Sequence, residues 1–308
     1  MIILDGGLGR QLKSMGAPFR QPEWSALALM EGPKYVRAAH DAFIKAGADI
    51  ITTNSYAIVP FHIGNERFAK DAEDLLMLSG QLARDAAIAT SAQVQVAGGI
   101  PPMFGSYQPG KFDYALGSQM MQIFQRCLAP YVDFYMAETL GSIDEARCFL
   151  DAFTASEKPV WVSLTLEDED PVVGQPKLRS GELLADFLGF CDGRDGRAMP
   201  SAVLFNCSQP EVMEDAVRVT AGYFAAQETA PLIGVYANAF PLMKKDYEGA
   251  NADLHEIRGD ITPDAYADYA DIWVEAGAGI IGGCCGISPD HLRVLKQRLI
   301  PEGPCLRV

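Results

Sequence analysis

Five residues of this chain could act together although the sequence scatters them: Asp5, Glu138, Cys207, Cys284 and Cys285. Each follows a short apolar run with strand character. Two carboxylates at one place can hold a cation. Three thiolates at one place suit zinc, which favours tetrahedral coordination with sulfur at ~2.3 Å, and three protein ligands leave a fourth position for a substrate. Cys284 and Cys285 are adjacent, so they can share a metal only if the backbone turns sharply, and Gly282, Gly283 and Gly286 permit such a turn. The cysteines alone leave other readings open. A cysteine at a strand end is often a small buried hydrophobe. Cys284 and Cys285 could also form a vicinal disulfide or a redox pair. A zinc ion with a fourth protein ligand, for which His255 is available, would be structural. Asp5 could serve only as a cap, but a carboxylate directly after a buried strand is costly without a partner.

The elements that must position these residues alternate along the chain. Apolar runs rich in Ile, Val and aromatics predict strands at 2–4, 49–52, 94–97, 133–137, 160–166, 202–205, 232–236 and 279–281. Helical spacing fills 33–46, 67–89, 115–129, 182–190 and 211–226, and further helices start at Ser142, Thr262 and Ser288. Ser142 and Glu145 have capping-box spacing, and Pro263 and Pro289 suit a first helical position. Eight strands alternating with eight helices predict a single (β/α)8 TIM barrel over residues 1–308, in preference to an open doubly wound sheet. The five residues then converge on the C-terminal rim, where polar groups signal a site. Two long loops, 167–180 and 240–261, fall on the same face. Cys127 and Cys148 lie in helical runs and are expected in the core. Cys191 and Cys305 fall in a polar loop and in the tail, and neither is given a role.

Bulk properties narrow the class. With 308 residues and 49% hydrophobic content the chain can bury a large core. The net charge of -15 repels phosphate backbones, so no nucleic-acid partner is expected. No apolar run approaches the ~20 residues of a membrane span, and the first residues have no basic stretch of a signal peptide. Seven cysteines without framework spacing favour the cytoplasm, where clustered cysteines signal metal or catalysis.

Asp5-Gly6-Gly7, Thr52-Thr53-Asn54-Ser55-Tyr56, Glu138-Thr139, Asn206-Cys207 and Gly282-Gly283-Cys284-Cys285 occur in this order. Together they resemble the homocysteine S-methyltransferases, a family with S-methylmethionine-dependent and betaine-dependent members and the homocysteine module of methionine synthase. The resemblance runs from the first strand to the last helix. It implies that Cys207, Cys284 and Cys285 bind Zn2+, and that Asp5 and Glu138 hold the amino-acid end of homocysteine. It also implies that Gly6, Gly7 and Thr53 line the same pocket, with Asn206 and Asn238 as polar positions near it. No catalytic group beyond zinc activation of the substrate thiolate is implied.

The chemistry suits such residues. A free thiol has a pKa of ~8.5 and is mostly protonated at neutral pH, and zinc binding deprotonates it. Zn2+ with three thiolates carries a formal charge of -1, which keeps a bound substrate sulfur electron-rich. Sulfonium and quaternary ammonium donors are cations that suit aromatic faces; Tyr56, Phe104, Tyr107, Tyr135 and Tyr236 are available. S-methylmethionine or S-adenosylmethionine is the favoured donor. Betaine-dependent members carry Tyr after the Glu, where this chain has Thr139. The segment 100–107 departs from the family's Gly-Pro-Tyr-Gly-type loop, and 240–261 is poorly matched. The chain has no cobalamin or folate domain, and nothing after Cys305 matches the tetramer-forming extension, so a monomer or simple homodimer is expected. Another small thiol or selenol as acceptor, and a non-catalytic zinc-binding barrel, are the alternatives.

Overall fold

The computed structural model describes residues 1–193, 199–242 and 256–300. Its strands are β1 (Ile2–Ile3), β2 (Ile50–Thr52), β3 (Gln95–Ile100), β4 (Phe134–Leu140), β5 (Val160–Leu164), β6 (Ala202–Asn206), β7 (Leu232–Tyr236) and β8 (Ile280–Ile281). All neighbours pair in parallel, in the order β1-β8-β7-β6-β5-β4-β3-β2. A bridge between Leu4 and Ile50 joins the two ends, flanked by Asp5 N to Ile50 O at 2.9 Å and Asp49 N to Ile3 O at 2.8 Å. The sheet is therefore a (β/α)8 barrel and not an open sheet, as the alternation predicts.

Period-two alternation divides each strand between two cores. Leu4, Ile50, Phe134, Met136, Trp161 and Leu204 belong to the cluster that fills the barrel interior, where the Phe134 and Trp161 rings sit 4.1 Å apart. The intervening residues, such as Tyr135, Ala137, Val162 and Phe205, pack outward in the cluster shared with the helices. Two residues beyond the apolar inward positions stand Thr52, Glu138, Ser163 and Asn206. The interior is thus apolar at its base and polar at its C-terminal mouth.

The long crossover helices follow the predicted pattern. Pro33–Ala46 begins at Pro33 and stops at Gly47, whose φ of 108° only glycine adopts readily. Ser142 Oγ accepts from Glu145 N at 3.2 Å, while the Glu145 carboxylate accepts from Gly141 N at 2.7 Å, one residue before the predicted partner. Three helices escaped prediction: Leu8–Ser14, Ala26–Glu31 and Pro60–Ile63. They are too short to show a 3.6-residue period, and none has a side-chain cap.

Two boundaries shift in a way that matters for function. β3 and β4 extend to Ile100 and Leu140, so Gly98-Gly99 and Glu138-Thr139 lie within strands and not in the loops expected after 97 and 137. Cys191, expected in a polar loop, is the buried last residue of the helix Leu184–Cys191. Cys127 and Cys148 are buried free thiols in helices, as expected. His255 and Cys305 lie outside the described residues. Among the described residues, no helix is long and apolar enough to cross a membrane.

Candidate active site

A cavity of about 130 Å³ opens at the mouth of the barrel. Asp5, Gly6, Gly7, Thr53, Glu138, Cys207, Cys284 and Cys285 all line it, as do Tyr56, Tyr107 and Tyr236. Two of the aromatic candidates do not. Tyr135 is one residue out of phase with the inward face of β4, so it packs on Phe153 and its hydroxyl donates to Gln125 O at 2.9 Å. Phe104 packs edge-on against Phe112. Asn206 and Asn238, expected near the pocket, are buried behind its wall. Asn238 Oδ1 accepts from Phe240 N at 3.2 Å, an Asx turn within its own loop.

The three sulfurs of Cys207, Cys284 and Cys285 lie within 4.8 Å of one another. A tetrahedral ion with ~2.3 Å bonds holds its sulfur ligands about 3.8 Å apart, so the cluster fits such a metal. Among the described residues no fourth His, Cys, Asp or Glu joins the group, so these three would leave a tetrahedral ion one open position. Cys207 and Cys284 are paired as a disulfide and Cys285 is free, so the vicinal Cys284–Cys285 bond is not formed, and a metal would need the pair reduced to two thiolates. Burial pushes the Cys285 thiol up to about 12, against the pull of nearby Arg10. Without a cation this thiol stays protonated at neutral pH; a divalent metal supplies the charge that burial denies.

The glycines around the pair act mainly through space. A Cβ on Gly7 would lie 2.5 Å from the Cys284 carbonyl oxygen, and one on Gly6 would lie 2.5 Å from Ile287 O. Gly282 abuts Leu4 and Gly283 abuts Ile287 too closely for any side chain. Neither has a positive φ; only Gly286, at 89°, turns the chain in the way predicted for all three.

On the opposite wall the backbone is strained. The register of β4 against β5 breaks between Ala137 and Leu140, a bulge that contains Glu138 and Thr139. Bulges re-aim side chains next to active sites, and here two consecutive residues both face the cavity. Thr139 has φ 59° and Cys207 has φ 52°. Trp24 and Tyr107 are the other non-glycine residues with positive φ among those described, and all four line the cavity. Such conformations cost on the order of 1–3 kcal/mol each and persist where the surroundings impose them.

Asp5 and Glu138 bring two carboxylates to one end of the cavity. Asp5 accepts from Thr52 N at 2.8 Å and from Thr52 Oγ1 at 3.1 Å. Burial nevertheless raises its pKa to about 7. Glu138 rises to about 8, through burial and then the charge of Asp5. Among the described residues no cationic side chain offsets either shift. Thr53 Oγ1 accepts from Gly99 N at 3.0 Å and contacts Ser55 Oγ at 2.8 Å, which ties β2 to β3 beside them.

Sequence reasoning missed Trp24, His62, Ser106 and Phe240, all of which line the cavity. They come from long connections, with no strand end to mark them. Ser106 Oγ meets the Tyr56 hydroxyl at 2.7 Å, a contact across 50 positions that no local pattern shows.

Residues 2–299 match the homocysteine S-methyltransferase family. The homocysteine S-methyltransferase of Escherichia coli K12 is 27% identical over 318 residues, covering 97% of this chain and 95% of that one. The selenocysteine methyltransferase of Astragalus bisulcatus is 26% identical over 330 residues, covering 96% and 92%. Among solved structures, the metallated form of the homocysteine methyltransferase MmuM from Escherichia coli superposes with a TM-score of 0.76 at 25% identity, covering 97% of this chain and 96% of that one. Its oxidized form gives 0.77. A barrel matched from its first strand to its last helix, with three cysteines and two carboxylates at its mouth, places the chain in a known group of enzymes: it belongs to the homocysteine S-methyltransferase family.

Proposed function

We propose that the protein transfers a methyl group from a sulfonium donor, S-methylmethionine or S-adenosylmethionine, to the thiolate of L-homocysteine, giving methionine, with Zn2+ held by Cys207, Cys284 and Cys285. The observation that carries this reading is the cysteine triplet opening onto the same cavity as the uncompensated carboxylates Asp5 and Glu138. When bound, zinc supplies a Lewis acid that keeps the acceptor sulfur deprotonated at neutral pH. Asp5 and Glu138 hold the substrate ammonium, which supplies the positive charge their buried position lacks. Gly6, Gly7 and Thr53 form the wall against which the amino-acid end lies. The acceptor sulfur then attacks the donor methyl carbon; a new carbon–sulfur bond forms, the old one breaks, and the donor leaves as a neutral thioether. Trp24, Tyr56, Tyr107 and Tyr236 offer aromatic faces to the cationic donor.

A selenol acceptor is the second reading, favoured by the selenocysteine methyltransferase relative, which matches nearly the whole chain at the same level of identity. Zinc content of reduced protein, wild type against Cys207→Ala, tests the ligand set. About one zinc per chain in wild type and none in the variant is the expected result. Zinc that ignores Cys207 would sink it. Product formation from homocysteine and from selenocysteine, with each sulfonium donor and with betaine, then decides acceptor and donor.

A further inference from the structure

Asn206 sits between the two halves of the acceptor site without lining the cavity. It is the last residue of β6, and Cys207 follows it directly. Its side chain crosses the inner face of β5 to reach β4. Asn206 Oδ1 accepts from Thr139 N at 2.9 Å and from Ser163 Oγ at 2.9 Å, and Nδ2 donates to Thr139 Oγ1 at 2.8 Å. Asn206, Thr139 and Ser163 are all at most 1% exposed. The Thr139 N–H is the group that the bulge removes from the sheet ladder, and a buried N–H without a partner is costly. Asn206 thus satisfies the bulge, and its two-point grip on Thr139 holds a β-branched residue at φ 59°, where such residues rarely sit.

We infer that Asn206 is a positioning residue that fixes the span between Glu138 and Cys207 and so makes the site a ruler for the length of a thiol amino acid. The inference rests on the proposed reading of the two ends, with ammonium at Glu138 and acceptor sulfur beside Cys207. Glu138 is covalently joined to Thr139, and Cys207 to Asn206. The clamp therefore links the two anchors through one amide, while β5 stands between their strands. An acceptor one methylene shorter, cysteine or selenocysteine, cannot reach both ends unless the span contracts, so the clamp goes with the homocysteine reading and against selenocysteine as acceptor. A span locked by three buried hydrogen bonds does not contract, whereas one held only by β5 has lost that restraint.

The test is calorimetric binding of L-homocysteine and of L-cysteine to reduced, zinc-loaded protein, with zinc content measured on the same samples. Wild type is expected to prefer homocysteine by about 10- to 200-fold, the range one methylene provides. Asn206→Ala, and Thr139→Val, which removes the Oγ1 contacts to Asn206 and Tyr56 but keeps the Thr139 N–H bond and guards against a failure of the first variant to fold, should retain one zinc per chain. Both should weaken homocysteine binding and reduce the preference by about tenfold or more, and Thr139→Ser should restore it. Variants that bind zinc and keep the wild-type preference overturn the clamp while leaving the proposed function standing. Wild type that binds zinc but not homocysteine overturns both.

Discussion

Cys207 reaches the sulfur cluster on a left-handed residue at the end of β6, braced by the hydrogen bonds of Asn206. Cys284 and Cys285 reach it on a loop beyond β8 whose preceding glycines have no positive φ and are fitted against Leu4 and Ile287 with no room to spare. The first side is held by polar contacts against backbone strain, the second by close packing without it. The contrast teaches that one cysteine cluster can draw its precision from two kinds of constraint, each with its own weakness. The β6 side should be sensitive to loss of a polar atom, and the β8 side to added volume.

The largest effect is expected on the packed side. Gly7→Ala places a methyl group 2.5 Å from the Cys284 carbonyl oxygen and 3.1 Å from the Cys285 Cα. Both obstacles are backbone, so no rotamer change relieves the clash and the cysteine loop must move. Overpacking of this kind costs roughly 1–3 kcal/mol, and misplacing ligands lowers metal affinity by about tenfold to a hundredfold. A competition titration with a zinc chelator measures it. Wild-type affinity in Gly7→Ala would show that the loop yields freely and that packing does not position the pair.

Between the two sides lie the carboxylates, where the expected effect is smaller and depends on pH. With Asp5 near 7 and Glu138 near 8, both are largely protonated below pH 7 and cannot pair with an ammonium. The KM for the amino-acid acceptor should therefore fall as pH rises through 7–8. Glu138→Gln should remove the upper part of that dependence and raise KM about tenfold, the lower end of the worth of one charge-assisted hydrogen bond. The stability effect has the opposite sign. A carboxyl whose folded pKa is raised stabilises the fold at low pH, and that contribution is lost as pH rises through the folded value. Ligand-free Glu138→Gln should thus melt higher than wild type at pH 8 and alike at pH 4, as scanning calorimetry will show.

Much of this contrast could be read in the sequence, but unevenly. The convergence of Asp5, Glu138, Cys207, Cys284 and Cys285 follows from counting strands, because every strand of a parallel barrel ends on the same rim. Gly7, Gly282 and Gly283 were visible as glycines, but their reason was not. They are small because backbone from β1 and the last loop meet there, a tertiary fact. Thr139 and Cys207 gave no sign of left-handed backbone, since neither residue type favours it. The Asn206–Thr139 clamp spans 67 positions, beyond the reach of any local pattern. Tyr135 faces outward although its neighbours Phe134 and Met136 face in, because a shift of one residue in a strand exchanges inside for outside.

The smallest effect tests whether the packed side also depends on a polar contact. Tyr266 is fully buried, and its hydroxyl donates to Gly282 O at 2.7 Å, with Ala237 O at 3.3 Å. Its ring packs against Trp273 and His291, at centroid distances of 5.4 and 6.0 Å. Tyr266→Phe keeps that ring packing and deletes one hydrogen bond at the base of the cysteine loop. The loop remains enclosed by Gly7, Leu4 and Ile287, so the loss should be local, about 1 kcal/mol. For a chain of this size that is a fall in melting temperature of roughly 2–3 °C, with zinc affinity near that of wild type. Zinc loss as severe as in Gly7→Ala would mean that the loop is held by this hydrogen bond and not by its packing, and the division between a packed side and a clamped side would fail.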